Sequence, residues 1–221
     1  MASKIRNLFD IKKTQIQLVR DRGYVISPEE EALLTATSDQ FSAYMQTLRQ
    51  AYPNFTDRTR LSRSYINAAG TKSMAVFFIA RTEQTQKQIP SEIMRSIVNT
   101  VIESRSTELL LVVDVPLSTH GNELLQTLTL TKWQVFFDSD LVYNPTESVD
   151  VPRHELLTPE QAAAKLQEWK VDISKLLISE SSESIVKYYG WPPGSIIRIH
   201  RNDSSVNSLG SESLNYRVVI K

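Results

Sequence analysis

Cysteine is missing from all 221 residues of this chain, and glycine occurs only six times. The lack of cysteine excludes disulfides, thiolate zinc sites, iron–sulfur clusters and cysteine nucleophiles. None of the glycines belongs to a Gly-x-Gly-x-x-Gly or Walker motif, so the sequence offers no phosphate cradle for a nucleotide. The three histidines, His120, His154 and His200, share no metal-ligand spacing. We therefore expect no metal, no cofactor and no small-molecule substrate.

An excess of charge of one sign is also lacking, because 25 Lys and Arg residues balance 25 Asp and Glu residues. A chain without a basic excess does not attract nucleic acid through its overall field, so any DNA contact must be weak and local. No run of about 18 apolar residues is present, which predicts no membrane partner. The first residues lack the apolar core of a signal peptide, and we expect a cytosolic or nuclear protein.

Helical spacing of apolar residues dominates the chain up to residue 52. A first amphipathic helix is predicted over 4–21 and ends before Gly23, which is a good C-cap. We expect Lys12 and Lys13 to lie on the polar face of this helix. The sequence Ser27-Pro28-Glu29-Glu30 has the form of a capping box and predicts a second, short helix.

The middle of the chain predicts a sheet flanked by helices. Apolar runs at 74–80 and 109–115 are typical of buried strands, residues 133–137 predict a third strand, and amphipathic segments separate the three. Strand, helix, strand, helix, strand is the pattern of a parallel or mixed sheet covered by helices. Residues 57–67, which precede these runs, are predicted as a polar edge strand or loop.

A polar stretch at 138–152 predicts a domain boundary, because it holds two prolines and few apolar residues. After it, the capping box at 158–161 predicts a helix. Strands are predicted at 196–200 and 214–220, with a long loop at 202–213 between them.

The predicted fold class is therefore α/β, with two domains. The N-terminal domain, at 1–143, contains a mixed sheet flanked by helices. A linker at 144–150 leads to a small α+β domain at 151–221.

Asp114 is the strongest candidate for catalysis, because it lies at the predicted end of a buried strand. Nucleases of this shape hold a metal between an Asp and an Asp/Glu-x-Lys motif on the adjacent strand. The next predicted strand, at 133–137, is apolar and carries no such motif. The one match, Glu168-Trp169-Lys170, lies on a predicted helix of the other domain, so the sequence favours an interaction protein over an enzyme.

Two further groups of residues each admit two interpretations. Arg58, Arg60 and Arg63 either contact phosphates or form a solvated edge that opposes strand pairing. The aromatic cluster at 188–191 either stacks on bases or belongs to a core or interface, which is the commoner role in a small domain.

Several motifs, in their order and spacing, resemble the fifth common subunit of eukaryotic nuclear RNA polymerases. No single motif is diagnostic, but together they span nearly the whole chain. In the N-terminal part they are Leu8–Thr14, Asp21–Tyr24, Met74–Phe78, Leu110–Val113 and Pro116–Thr119. In the C-terminal part, which is similar to a small archaeal polymerase protein that consists of this domain alone, they are Val151–Glu160, Ile185–Gly190, Ile196–Ile199, Arg201 and Tyr216–Arg217.

The C-terminal part also departs from the family pattern. Leu177–Glu180 replaces a Leu-Pro-Arg-Ile motif, Pro192–Gly194 replaces a Lys-Arg-Gly turn, and the loop at 202–213 is longer than usual. Such changes are typical of a diverged copy, and a copy that serves a single polymerase class is one interpretation.

The resemblance implies a non-catalytic subunit of a nuclear DNA-dependent RNA polymerase, located in the nucleus, or in the nucleolus if it serves polymerase I. It implies that the N-terminal domain is a nuclease-like jaw beside downstream duplex DNA, with Ser118 and Thr119 near the phosphates. A plain helix N-cap is the other interpretation of these two residues.

The resemblance also implies that the C-terminal domain is an assembly domain anchored to the largest polymerase subunit. The residues implied at that interface are His154, Tyr188, Tyr189, Gly190, Arg198, Arg201, Tyr216 and Arg217. Internal packing of the small domain is the alternative role for each of them. A stand-alone transcription adaptor that binds a transcription factor outside polymerase is the alternative function.

Overall fold

The computed structural model describes residues 2–80, 87–129, 131–201 and 213–221. The chain divides into two compact units, Met1–Tyr143 and Asn144–Lys221, and each unit has its own four-stranded mixed sheet. The predicted α/β fold class is confirmed. Most of the predicted loop at 202–213 lies outside the described residues, and its last residue, Ser213, begins a strand. None of the described helices is both long and apolar enough to cross a membrane.

In the N-terminal unit, strands β1 to β4 lie side by side in chain order. Strand β1 pairs with β2 in antiparallel fashion, whereas β2, β3 and β4 are parallel. The elements of this unit are α1 (Ala2–Asp21), α2 (Pro28–Leu34), α3 (Ser38–Ala51), β1 (Arg63–Ile66), β2 (Ser73–Phe78), α4 (Ser91–Ser104), β3 (Glu108–Val113), α5 (Thr119–Gln126), β4 (Lys132–Phe137) and α6 (Asp138–Leu141). A 3-10 turn at Thr59–Leu61 precedes β1.

Helices cover both faces of this sheet, as the alternation of strands and helices predicts. Residues of α4 and α5, such as Val101 and Leu125, pack with Leu109 and Leu111 of β3 in one apolar cluster. Helix α1 lies on the other face and contacts α2, α3 and α6. Helix α6 occupies the start of the polar stretch that the sequence predicts as a domain boundary.

The prediction that Lys12 lies on a polar helix face is wrong. Helix α1 is buried on almost all sides from Ile11 to Val19, and Lys12 is completely enclosed. Its Nζ donates to Glu30 Oε1 at 2.7 Å and to Gln15 Oε1 at 2.8 Å. Because a buried ammonium is stable only when it is paired, this network compensates for the loss of water.

The buried pair joins α1 to α2 and to strand β1. The hydroxyl of Tyr65 donates to Glu30 Oε1 at 2.8 Å, so that one carboxylate oxygen accepts from both side chains. Burial lowers the pKa of Lys12 to about 8, although Glu30 opposes this shift. Burial by itself raises the pKa of Glu30, but Lys12 and Tyr65 together hold it below its ordinary value. Both groups are therefore charged at neutral pH.

In the C-terminal unit the strand order is β5-β7-β8-β6, with β6 parallel to β8 and the other pairs antiparallel. The elements are β5 (Arg153–Leu156), α7 (Pro159–Trp169), β6 (Leu177–Glu180), α8 (Ser184–Tyr189), β7 (Ile196–Arg201) and β8 (Ser213–Ile220). The sequence predicts β7, β8 and the capping box of α7, in which Thr158 and Gln161 bond each other's backbone. It does not predict the four-residue edge strands β5 and β6.

The two faces of this sheet differ. One face carries the apolar core, in which Ile197, Ile199 and Val219 pack with Val186 of α8. On the opposite face, the ring of Tyr216 meets Trp169 of α7 edge-on, with the ring centroids 4.7 Å apart. Helix α7 has no fully buried residue, so it covers only part of this face of the sheet.

Candidate functional site

The predicted DNA-side residues lie at the start of α5, next to the carboxyl end of β3. Ser118 is the N-cap of this helix, since its Oγ accepts from the Gly121 amide at 3.1 Å. A Cβ at Gly121 would lie only 3.1 Å from that oxygen and 3.2 Å from Met94 Cγ, so the close packing favours glycine there. Thr119 is exposed at the first helical position. The Ser118 hydroxyl is thus engaged inside the helix, whereas Thr119 faces outward.

At the same end of the sheet, Arg58 binds the end of β2 and the residue that follows β4. Its Nε donates to Ile79 O at 2.6 Å, and its guanidinium forms two hydrogen bonds with the carboxylate of Asp138. Among the residues that the structure describes, no group of three or more His, Asp or Glu side chains is arranged to hold a metal ion. Asp114, the candidate nuclease residue, therefore stands in no such group.

The other two arginines of the 57–67 segment are also held inside the chain. Arg60 bonds to Asp57 at 2.7 Å and to the carbonyl oxygens of Tyr52 and Pro53. Arg63 donates to main-chain carbonyls at 2.8 Å. Strand β1 is an edge strand as predicted, but Arg58, Arg60 and Arg63 do not form a solvated rim along it. Their planar donors are used to fix the turn that leads into β1.

In the C-terminal unit, the face that carries α7 contains Arg198 and Tyr216, which are directly paired in the sheet register. Arg198 Nη2 donates to Glu155 Oε2 at 2.6 Å, and His200 Nε2 lies 3.3 Å from the same oxygen. The hydrogen bond from Arg198 holds the pKa of Glu155 below its ordinary value. This face therefore combines a charged group with an aromatic ring.

His154 and Arg217 lie on the opposite face of the same sheet. The Nδ1 of His154 is 2.6 Å from Pro152 O, and burial lowers the pKa of this imidazole. Arg217 Nη1 lies 3.9 Å from Glu183 Oε1. Arg201 is exposed at the end of β7. The residues predicted at one interface are thus divided between two faces of the unit.

Helix α8 contains the remaining predicted interface residues. Tyr188 is 1% exposed, and its hydroxyl accepts from Asn144 Nδ2 at 3.3 Å. Gly190 ends the helix with a positive φ of 67°, a left-handed conformation that glycine adopts easily. Tyr189 stacks on Trp191, with centroids 4.7 Å apart. Tyr188 is packed inside the unit, whereas Tyr189 and Gly190 are partly exposed.

Sequence reasoning missed Glu155 and Trp169, which complete the Arg198 face. Glu155 lies on β5, a strand too short to show a pattern of its own. Its alternation with His154 and Leu156 gives the only signal, because alternate residues of a strand share a face. Trp169 ends a predicted helix, but its partner Tyr216 lies 47 positions later in the chain.

Two family models match the chain at positions that follow the two units. Residues 2–100 match RNA polymerase Rpb5, N-terminal domain, and residues 143–219 match RNA polymerase Rpb5, C-terminal domain. The chain belongs to the Rpb5 family of RNA polymerase subunits. Its Rpb5 C-terminal match begins one residue before the second compact unit.

Curated relatives extend the Rpb5 match over nearly the full length. The chain is 23% identical over 221 residues to "DNA-directed RNA polymerases I, II, and III subunit RPABC1" of Caenorhabditis briggsae, covering 96% of this chain and 95% of that protein. It is 22% identical over 191 residues to "DNA-directed RNA polymerase V subunit 5A" of Arabidopsis thaliana, covering 86% and 79%. At this identity the chain is a diverged Rpb5, and its relatives include both shared and class-specific subunits.

Proposed function

We propose that this chain is a non-catalytic subunit of a nuclear DNA-directed RNA polymerase. The full-length match supports this most directly, because relatives named as polymerase subunits align with both units in order. A nuclear location follows from that role, with the nucleolus as the site if polymerase I is the enzyme served. The large subunits of the polymerase would carry the active site, and this chain would position other components.

For the N-terminal unit we propose the role of a jaw beside downstream DNA. The exposed start of α5 supports this role, because the first amides of a helix and the hydroxyl of Thr119 are suited to phosphate oxygens. Ser118 would act indirectly, by fixing the first turn through its bond to Gly121. The contact is expected to be weak, since it involves few charges.

For the C-terminal unit we propose that the Arg198 face anchors the chain to the largest polymerase subunit. Exposed apolar side chains on this same face, from Ile178, Leu214 and Ile220, surround the Arg198 and Tyr216 pair. Arginine and tyrosine beside exposed apolar surface are typical of residues that dominate binding at protein interfaces. Arg201 lies at the end of the same strand, but on the opposite face from Arg198, because alternate residues of a strand share a face.

The test is affinity purification of the tagged full chain, with mass spectrometry of the proteins that remain after a high-salt wash. One polymerase largest subunit per tagged chain is expected. Ile178→Lys should lower its recovery about tenfold, since a charge buried against apolar interface surface is costly. Leu177→Lys is the matched control, because Leu177 is 63% exposed and Ile178 55% exposed on opposite faces of β6.

Each outcome has a separate meaning. Loss of the largest subunit from the wild-type sample contradicts the polymerase role, and a variable yield of a transcription factor instead supports the stand-alone adaptor. Equal effects of the two substitutions contradict the assignment of the anchoring face alone. Recovery of one polymerase class rather than all classes identifies a specialised copy.

A further inference from the structure

A groove of about 1020 Å³ lies along strand β1 of the N-terminal unit. Its floor includes Ser64 and Ile66 of β1 and Phe77 of β2, and its walls include Val25 and Phe55. The groove shares no residue with the start of α5, for which a DNA contact is proposed. Its binding partner is therefore sought separately from the proposed DNA contact.

Part of the backbone of β1 faces away from its sheet. Asn67, just after β1, donates to Lys72 O at 3.0 Å. In an antiparallel ladder the residues that alternate with such a bonded position point their N–H and C=O groups outward, as Ser64 and Ile66 do. Ile66 O accepts from Val25 N at 3.0 Å. The N–H and C=O of Ser64 have no hydrogen-bond partner within the described part of the chain, and they lie at the groove.

The usual protection of an edge strand is missing at this position. Edge strands commonly carry charged side chains or proline that oppose pairing with another strand. Arg63, the only charged residue of β1, instead directs its guanidinium to the carbonyls of Arg60 and Ser62. Arg60 is itself bound to Asp57. Strand β1 thus presents free hydrogen-bonding groups without a barrier in front of them.

Apolar side chains and one unpaired charge define what fits beside this edge, because Glu30, Arg60 and Arg63, which also line the groove, are bound to other groups of the unit. Val25, Phe55 and Ile66 are each more than half exposed, although all three line the groove. Glu29 is exposed in the same lining and has no ion-pair partner among the described residues. The groove therefore matches an extended apolar segment that carries a positive charge at one end.

We propose that β1 binds an extended apolar segment of a partner protein, which adds to the sheet as a further strand and places a basic residue at Glu29. Main-chain bonds to Ser64 supply affinity, and pockets for alternate side chains supply specificity, as in other strand-addition complexes. This role is independent of the polymerase assignment, since it uses only the groove residues.

The experiment selects binders from a displayed library of random heptapeptides on the full-length chain. Enriched peptides are expected to alternate apolar residues and to carry Lys or Arg near one end. Synthetic fluorescent versions are then titrated against the variants by anisotropy. Ile66→Lys should weaken binding about tenfold or more, and Glu29→Lys about threefold. Ile102→Lys is the matched control, because Ile102 is 57% and Ile66 58% exposed, and Ile102 lies outside the groove.

Two backbone controls test the strand pairing itself. Ser64→Pro removes the outward N–H at an edge position where proline is tolerated, and it should weaken binding about as much as Ile66→Lys. N-methylation of alternate residues of the bound peptide removes the matching hydrogen-bond donors of the peptide, and it should weaken binding to a similar extent. Circular dichroism establishes that each variant is folded.

The proposal is overturned if no peptide is enriched, or if methylated peptides bind as well as unmethylated ones. It is also overturned if Ile102→Lys weakens binding as much as Ile66→Lys does. A chain that sediments as a dimer, and becomes a monomer on Ile66→Lys, identifies a second copy as the occupant and replaces the partner proposed here.

Discussion

At the scale of single residues, Lys12 shows that a local sequence pattern does not reveal pairing with a distant residue. Helical periodicity places charged residues on the solvent side, and two adjacent lysines strengthen that interpretation. The structure reverses it, because Glu30, 18 positions later, pairs with Lys12 inside the unit. An ion pair between two separate helices does not alter the spacing of apolar residues in either helix, so the sequence could not predict it.

Replacing Lys12 by Met should lower the free energy of unfolding by about 3–5 kcal/mol, since it leaves the Glu30 carboxylate buried without its cation. Urea denaturation of the full chain measures the effect. Lys13→Met, one position away on a half-buried residue, should change stability by less than about 1 kcal/mol. Equal effects of the two substitutions would mean that the buried pair adds no stability.

His154 should make the C-terminal unit less stable in acid. Burial lowers its pKa, so the folded chain binds fewer protons than the unfolded chain, whose imidazole titrates at about 6.5. Stability is therefore highest above about pH 6.5 and falls as the pH drops through the lowered pKa. An NMR titration of the His154 ring protons should give a midpoint below that value. A midpoint at or above it contradicts the prediction, and His154→Gln should reduce the acid sensitivity.

At the scale of elements, the sequence predicts long segments well and short edge strands poorly. The strands β2 and β3 contain continuous apolar runs, the aromatic-rich stretch of β4 is also predicted, and the capping box of α7 appears as predicted. In contrast, β5 and β6 have only four residues each, and they are strands because β7 and β8 pair with them. Their identity depends on neighbours that are distant in the chain.

Helix α7 should depend on its cap to an unusual degree, because none of its residues is fully buried. Thr158→Ala removes the hydroxyl that accepts from the Gln161 amide and should cost about 1 kcal/mol of stability. Thr158→Ser retains the hydroxyl and should cost much less. Hydrogen exchange of the α7 amides measures the difference, and equal exchange in both variants would show that packing on Tyr216 is sufficient.

At the scale of the whole molecule, the chain consists of two units with separate sheets and separate apolar clusters. Composition and periodicity predict two domains, whereas the candidate interface residues rest on the family resemblance and are divided between the two faces of the C-terminal sheet. Arg198 and Tyr216 share a face, while His154 and Arg217 occupy the other. The register of β5, β7 and β8 decides this grouping, and the sequence does not predict β5.

Each unit should fold without the other. Fragments 1–143 and 144–221, expressed separately, should give dispersed amide NMR spectra that overlay on the spectrum of the full chain, because each contains a complete sheet and core. The smaller fragment should be the less stable of the two, since a small domain buries a smaller fraction of its surface. A collapsed spectrum for either fragment would contradict the prediction.

The enclosure of Lys12 has a practical consequence for chemical labelling. An amine-reactive reagent reaches its Nζ only when the contacts to Glu30, Gln15 and Leu61 have opened. Exposed lysines such as Lys72 react in the intact protein. The rate at which Lys12 is acylated, read by peptide mass spectrometry against Lys72 as the internal standard, therefore reports how often α1 and α2 separate.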